Sequence, residues 1–184
     1  MKPNGAKRME RIGDATLYLG DCRSIDLPAD AALISDPPWG ANAQIDSTRF
    51  TGGRSSHDRG ACPRFNPIAG DDIEFDPSPW LAWPEIILFG ANHFANRLPR
   101  GQSLVWIKKQ PHLYGSFLSD AELAWQKSAG WGVYAYYEPW ASSRRRKQGG
   151  GQSVHPMQKP VGLMEWCIKR TAAAIILDPY MGSG

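Results

Sequence analysis

Hydrophobic residues in this chain gather into short runs, each closed by a turn-forming residue, and the pattern predicts short strands alternating with helices. Residues 15–19 alternate weakly and stop at Gly20-Asp21, which marks a strand followed by a turn. Residues 31–35 form an apolar run that meets Asp36-Pro37-Pro38-Trp39 and then Gly40, a buried strand entering a stiff turn. Residues 85–89 are apolar and β-branched and give a third strand, ending at Gly90-Ala91-Asn92. A short helix follows over 91–98, stopped by Pro99 and Gly101, and then a strand over 103–107. Residues 116–127 carry helical character, with Ser119-Asp120 as an alternative cap. Residues 133–137 make a tyrosine-rich strand, 161–173 a helix begun by Pro160, and 174–177 a last strand before Asp178.

This alternation predicts an α/β fold, a parallel or mixed sheet with helices on both faces, in a single domain. Ligands of such sheets sit beyond the carboxyl ends of the strands, an edge that here carries Asp21, Asp36, Asn92 and Asp178. Two stretches break the pattern and are expected to be long flexible loops. The first, residues 40–72, mixes Gly, Ser and Pro with Arg49, Arg54, Arg59 and Arg64, and the second, residues 141–154, runs through Arg144-Arg145-Arg146-Lys147 to three glycines.

A chain of 184 residues with 42% hydrophobic content holds one domain with a real core. Its net charge of +3 permits a nucleic-acid partner without requiring one. Cys22, Cys62 and Cys167 are widely spaced, so neither a disulfide framework nor a metal site is expected, and a reducing cytoplasm is the natural setting. The first residues lack the apolar stretch of a signal peptide, and runs such as Ile86-Ile87-Leu88-Phe89 are too short to span a membrane. The 8 tryptophans suit core packing and base stacking alike.

The tetrapeptide Asp36-Pro37-Pro38-Trp39 concentrates the chemistry. Consecutive prolines fix φ and offer carbonyl oxygens without competing N–H donors. A carboxylate, a rigid carbonyl and an indole face together suit a flat ring bearing an amino group. Taken alone, the tetrapeptide is equally an ordinary strand-end turn.

Three segments in fixed order carry a family likeness. Asp36-Pro37-Pro38-Trp39 resembles the catalytic signature of S-adenosylmethionine-dependent amino-methyltransferases that act on nucleic-acid bases. His155-Pro156-Met157-Gln158-Lys159-Pro160 is similar to the segment before the cofactor loop in the permuted DNA methyltransferases, and Asp178-Pro179-Tyr180-Met181-Gly182-Ser183-Gly184 is similar to that loop. Leu19-Gly20-Asp21-Cys22 resembles the segment near the adenine of the cofactor, with fainter echoes at 90–94 and 104–106.

The resemblance implies a Rossmann-like domain in which Asp36 and the carbonyl of Pro37 or Pro38 accept the hydrogens of an exocyclic amine and Trp39 stacks on the base. It implies cofactor contacts at Asp21, Cys22, Lys159, Asp178, Pro179, Gly182 and Gly184. His155 stands either as a site contact or as a satisfied structural histidine. Arg144, Arg145, Arg146 and Lys147 are expected to grip phosphate, and the target base to be flipped or single-stranded. Aspartate at the first signature position leans toward adenine N6 over cytosine N4, and an RNA adenine target stays open.

The family pattern continues past its cofactor loop into a helix and a strand whose acidic residue holds the ribose. The chain is therefore expected to be truncated at that point, with open sheet edges. An inactive remnant, the DNA-binding half of a split enzyme completed by a C-terminal fragment, and a homo-oligomer are the alternatives this raises. The terminal Gly182-Ser183-Gly184 also admits a nicotinamide-dependent oxidoreductase, which leaves the tetrapeptide without a role.

Overall fold

The computed structural model describes residues 5–40, 68–116, 118–140, 150 and 157–181. Arg144, Arg145, Arg146, Lys147, His155, Gly182 and Gly184 lie outside the described residues, as does the whole 41–67 stretch.

Eight strands and one α-helix make up the described regular structure: β1 (Arg8–Ile12), β2 (Ala15–Leu19), β3 (Ala32–Ser35), β4 (Glu85–Phe89), β5 (Gly101–Ile107), β6 (Ala121–Lys127), β7 (Val133–Tyr137), α1 (Val161–Ile168) and β8 (Ile176–Leu177). Six strands form one sheet in the order β7-β5-β6-β4-β3-β8. β3 runs parallel to both β4 and β8, and β5 parallel to β7. β6 alone is reversed, pairing antiparallel with β4 and β5. The architecture is mixed α/β. The sheet is mixed, parallel except at β6, which lies within the parallel or mixed sheet that the alternation predicted.

The reversal traces to the segment expected to be helical. Ala121–Lys127 is rich in helix formers, yet it lies between β4 and β5 and bonds to both. Pairing on two sides outweighs a propensity of a few tenths of a kcal/mol per residue. Residues 91–98 also differ from expectation, forming two 3₁₀ turns, Ala91–His93 and Ala95–Arg97, separated by Phe94 at φ −134°. α1 begins after Pro160 as expected and ends at Ile168, five residues early. Thr171 Oγ1 donates to the Ile168 carbonyl at 2.8 Å, and Ala172 N donates to Glu85 Oε2 at 2.8 Å, which turns the chain toward β8. β1 and β2 pair only with each other in a separate two-stranded sheet, so Asp21 does not follow a strand of the main one.

Alternation along the buried strands sends residues to two cores. Leu33, Ile86, Leu88 and Trp125 pack with Phe75, Trp80, Ala91 and Phe94 on one face. Ile34, Ile87, Phe89, Leu104, Trp106 and Ala124 pack with Leu163 and Cys167 of α1 on the other. Burial pushes the Cys167 thiol up to about 12, as befits a packing residue. α1 is the one α-helix among the described residues, so the face with Phe75, Trp80, Ala91 and Phe94 is covered by 3₁₀ turns and loop aromatics instead. No helix among the described residues is long and apolar enough to cross a membrane.

Because β6 alone is reversed, one end of the sheet collects the carboxyl ends of β3, β4, β5, β7 and β8 with the start of β6. That end carries Asp36, Gly90, Lys108, Glu122 and Asp178.

Candidate active site

The turn after β3 is held from outside. Asp71 is almost fully buried, and its Oδ1 accepts the backbone N–H groups of Trp39 and Gly40, each at 3.1 Å. Gly40 has φ +76°, and a Cβ there would stand 2.7 Å from the Ile73 carbonyl oxygen. Two prolines cannot supply donors of their own, so the first two N–H groups beyond them tie the turn to Asp71.

Trp39 lies against the next strand end. Gly90, at φ +74°, leaves room for the indole, and His93 stacks on it with ring centroids 4.7 Å apart and planes 14° apart. The ring expected to receive a base is thus already stacked with an exposed imidazole on one side.

Asp36 and Lys159, far apart in sequence, form an ion pair through Asp36 Oδ2. Lys159 Nζ also lies 3.2 Å from Glu122 Oε2, and Glu122 Oε1 accepts from Lys108 Nζ at 2.6 Å. The Lys159 ammonium stands 5.5 Å from the Phe89 ring centroid and 5.8 Å from that of Trp39. Such a buried cation is tolerable because carboxylates flank it. Burial by itself would lower the Lys159 pKa, but Asp36 and Glu122 outweigh it and raise it. Burial would likewise raise Glu122, yet Lys159 and Lys108 hold it below the usual range. For Asp36 burial wins over Lys159, and Glu122 adds to it, so its carboxyl is pushed up.

The other oxygen of Asp36 is the telling atom. Oδ1 is buried and completes no well-aligned hydrogen bond, although the Trp39 indole N–H, itself buried without another partner, lies close enough to favour the charged carboxylate. Buried acceptors in native proteins are nearly always satisfied, so one met only by a poorly aligned indole N–H is open to a better donor.

Asp178 follows β8, and its Oδ1 accepts from Ser35 Oγ and from Tyr180 N at 3.0 Å. Burial pushes its carboxyl up, against both hydrogen bonds. Tyr180 packs edge-on against Trp80, with centroids 5.8 Å apart, and reaches Cys22. Beside Cys22 is a cavity of about 140 Å³, lined also by Arg23, Ile25, Leu27, Trp80 and Trp83. Asp21 turns its carboxylate to Arg23 at 2.7 Å, which holds it down to about 2.

The structure therefore brings Asp36, Trp39, Lys159 and Asp178 to one end of the sheet and joins Cys22 to the segment of Asp178 and Pro179 through Tyr180. Asp21 is engaged locally instead. Pro37 is buried and Pro38 half-buried within the turn. Asp71, Glu122 and Lys108 are the residues that sequence reasoning missed. An alternating reading of 121–127 was the available signal for Glu122, whereas nothing in the sequence around Asp71 singles it out. Comparison with protein-family models, with curated proteins and with solved structures gives no match.

Proposed function

We propose that this chain is the catalytic core of an S-adenosylmethionine-dependent methyltransferase acting on an exocyclic amine of a DNA base, adenine N6 foremost, built on a Rossmann-like sheet. The observation that carries the reading is the buried Oδ1 of Asp36, which completes no well-aligned hydrogen bond.

An exocyclic amine is a poor nucleophile because its lone pair is spread into the ring. Asp36 Oδ1 accepts one of its hydrogens and a carbonyl of Pro37 or Pro38 the other, which favours the pyramidal nitrogen of the transition state. Asp71 fixes the turn that presents these acceptors. Lys159 opposes the burial that pushes the Asp36 carboxyl up. A base inside a duplex does not reach such a turn, so the target is extruded or single-stranded.

The residues around Cys22 fit the adenine end of the cofactor: apolar walls and two indole rings border one small cavity. Cys22, Asp178 and Pro179 would hold S-adenosylmethionine, which supplies an electrophilic methyl group when bound. The reading places the protein in the cytoplasm.

Transfer of a labelled methyl group to DNA, followed by digestion to nucleosides, tests the proposal. N6-methyladenine is the expected product, and Asp36→Ala should lower its formation by about 100-fold or more. Activity of that variant within a few-fold of wild type, or no heat of binding with S-adenosylmethionine, would overturn the reading.

A further inference from the structure

Four charged side chains form a row at the site end of the sheet. Asp36 Oδ2 takes a hydrogen bond from Lys159 Nζ, Lys159 Nζ lies 3.2 Å from Glu122 Oε2, and Glu122 Oε1 takes a hydrogen bond from Lys108 Nζ. The two carboxylates and two ammonium groups cancel in formal charge, as buried ions must. Asp178, held by Ser35, is the further ionisable group whose charge acts on Asp36 and Lys159.

The row is unevenly engaged. Lys159 hydrogen-bonds Asp36 closely, while the buried Glu122 Oε2 has only a longer, poorly aligned contact with Lys159 at 3.2 Å. Lys159 thus has one carboxylate in hand and a second within reach. A lysine head on its flexible four-carbon stem shifts between two acceptors already beside it by small torsional changes.

We infer that Glu122 is a positioning residue for the amine site, taking Lys159 over from Asp36 when an amine hydrogen reaches that carboxylate. The inference rests on the methyltransferase reading. A carboxylate already committed to an ammonium is a weaker acceptor for a neutral amine. Were Asp36 the sole anion near Lys159, freeing it would strand a buried cation, a loss large enough to stop the exchange. Glu122 removes that obstacle, and Lys108 keeps Glu122 ionised while it does so. No atom is transferred in this step. One hydrogen bond is traded for another.

Glu122→Gln keeps the shape and removes the charge. Turnover should fall tenfold or more, with KM for DNA changed less than twofold. The acid limb of the pH–rate profile should move to lower pH, because a like charge beside Asp36 is gone and Lys159 stays with it. Unchanged turnover, or lost turnover with an unmoved acid limb, would overturn the inference.

A second measurement does not depend on methyl transfer. Urea unfolding of wild type, Asp36→Asn, Glu122→Gln and the double variant reports whether the carboxylates share Lys159. Each single variant leaves it one of these two carboxylates and the double leaves neither. The loss in the folding equilibrium constant should therefore exceed the product of the single losses by at least tenfold. A multiplicative result would overturn the sharing. Wild-type protein that transfers no methyl group yet shows this excess would sink the methyltransferase reading and leave the sharing of Lys159 standing.

Discussion

Gly90 and Trp39 are packed so closely that a Cβ on Gly90 would stand 2.0 Å from the indole nitrogen. The glycine is fixed for a second reason, since its φ of +74° lies in the left-handed region that side chains resist. Gly90→Ala therefore combines backbone strain with a clash that only displacement of Trp39 relieves. We expect a loss of about 2–4 kcal/mol in urea unfolding, with Trp39 moved off His93. A loss below about 0.5 kcal/mol, the range of an ordinary surface change, would mean that the turn is looser than the structure has it.

Asp71 provides a separate test of the same turn. Replacing it with alanine leaves two backbone N–H groups, those of Trp39 and Gly40, without their acceptor. The expected cost is about 1–3 kcal/mol, and amide hydrogen exchange at residues 39 and 40 should quicken more than at β3. Asp71→Asn retains an acceptor oxygen and should recover most of the stability. Equal losses in both variants would show that charge, not the hydrogen bonds, is what Asp71 contributes.

The contrast between Asp36 and Glu122 shows what the sequence can express. A strand ending at Asp36 was legible because the apolar run and the proline pair are local signals. The strands at 85–89 and 133–137 were legible for the same reason, and they hold to the residue. Glu122 was hidden because Ala121–Lys127 is composed of helix formers, and its strand state is decided by neighbours it meets only in the folded sheet. Lys159 was singled out through resemblance, yet its pairing with Asp36 crosses most of the chain and no local pattern encodes it. Asp71 stands beside Asp72 and Glu74 with no periodicity to set it apart. Its role depends on where two prolines leave the next free N–H groups.

Lys159→Met tests the charge balance by its pH dependence. At neutral pH the change leaves Asp36 and Glu122 buried without the cation between them, and about 3–5 kcal/mol should be lost. In the variant, burial keeps the folded pKa of Asp36 above its unfolded value with no ammonium to oppose it. The folded state then binds protons more readily than the unfolded one, so its stability rises as pH falls through that folded pKa. Wild type behaves oppositely at Glu122, whose folded pKa is depressed. The stability Glu122 contributes is present above its unfolded value of 4.5 and fades as pH drops through the folded one. The gap between the two proteins should therefore narrow steadily from pH 7 toward pH 4 in urea titrations. A gap that stays constant over that range would show that Lys159 acts through packing of its stem and not through its charge.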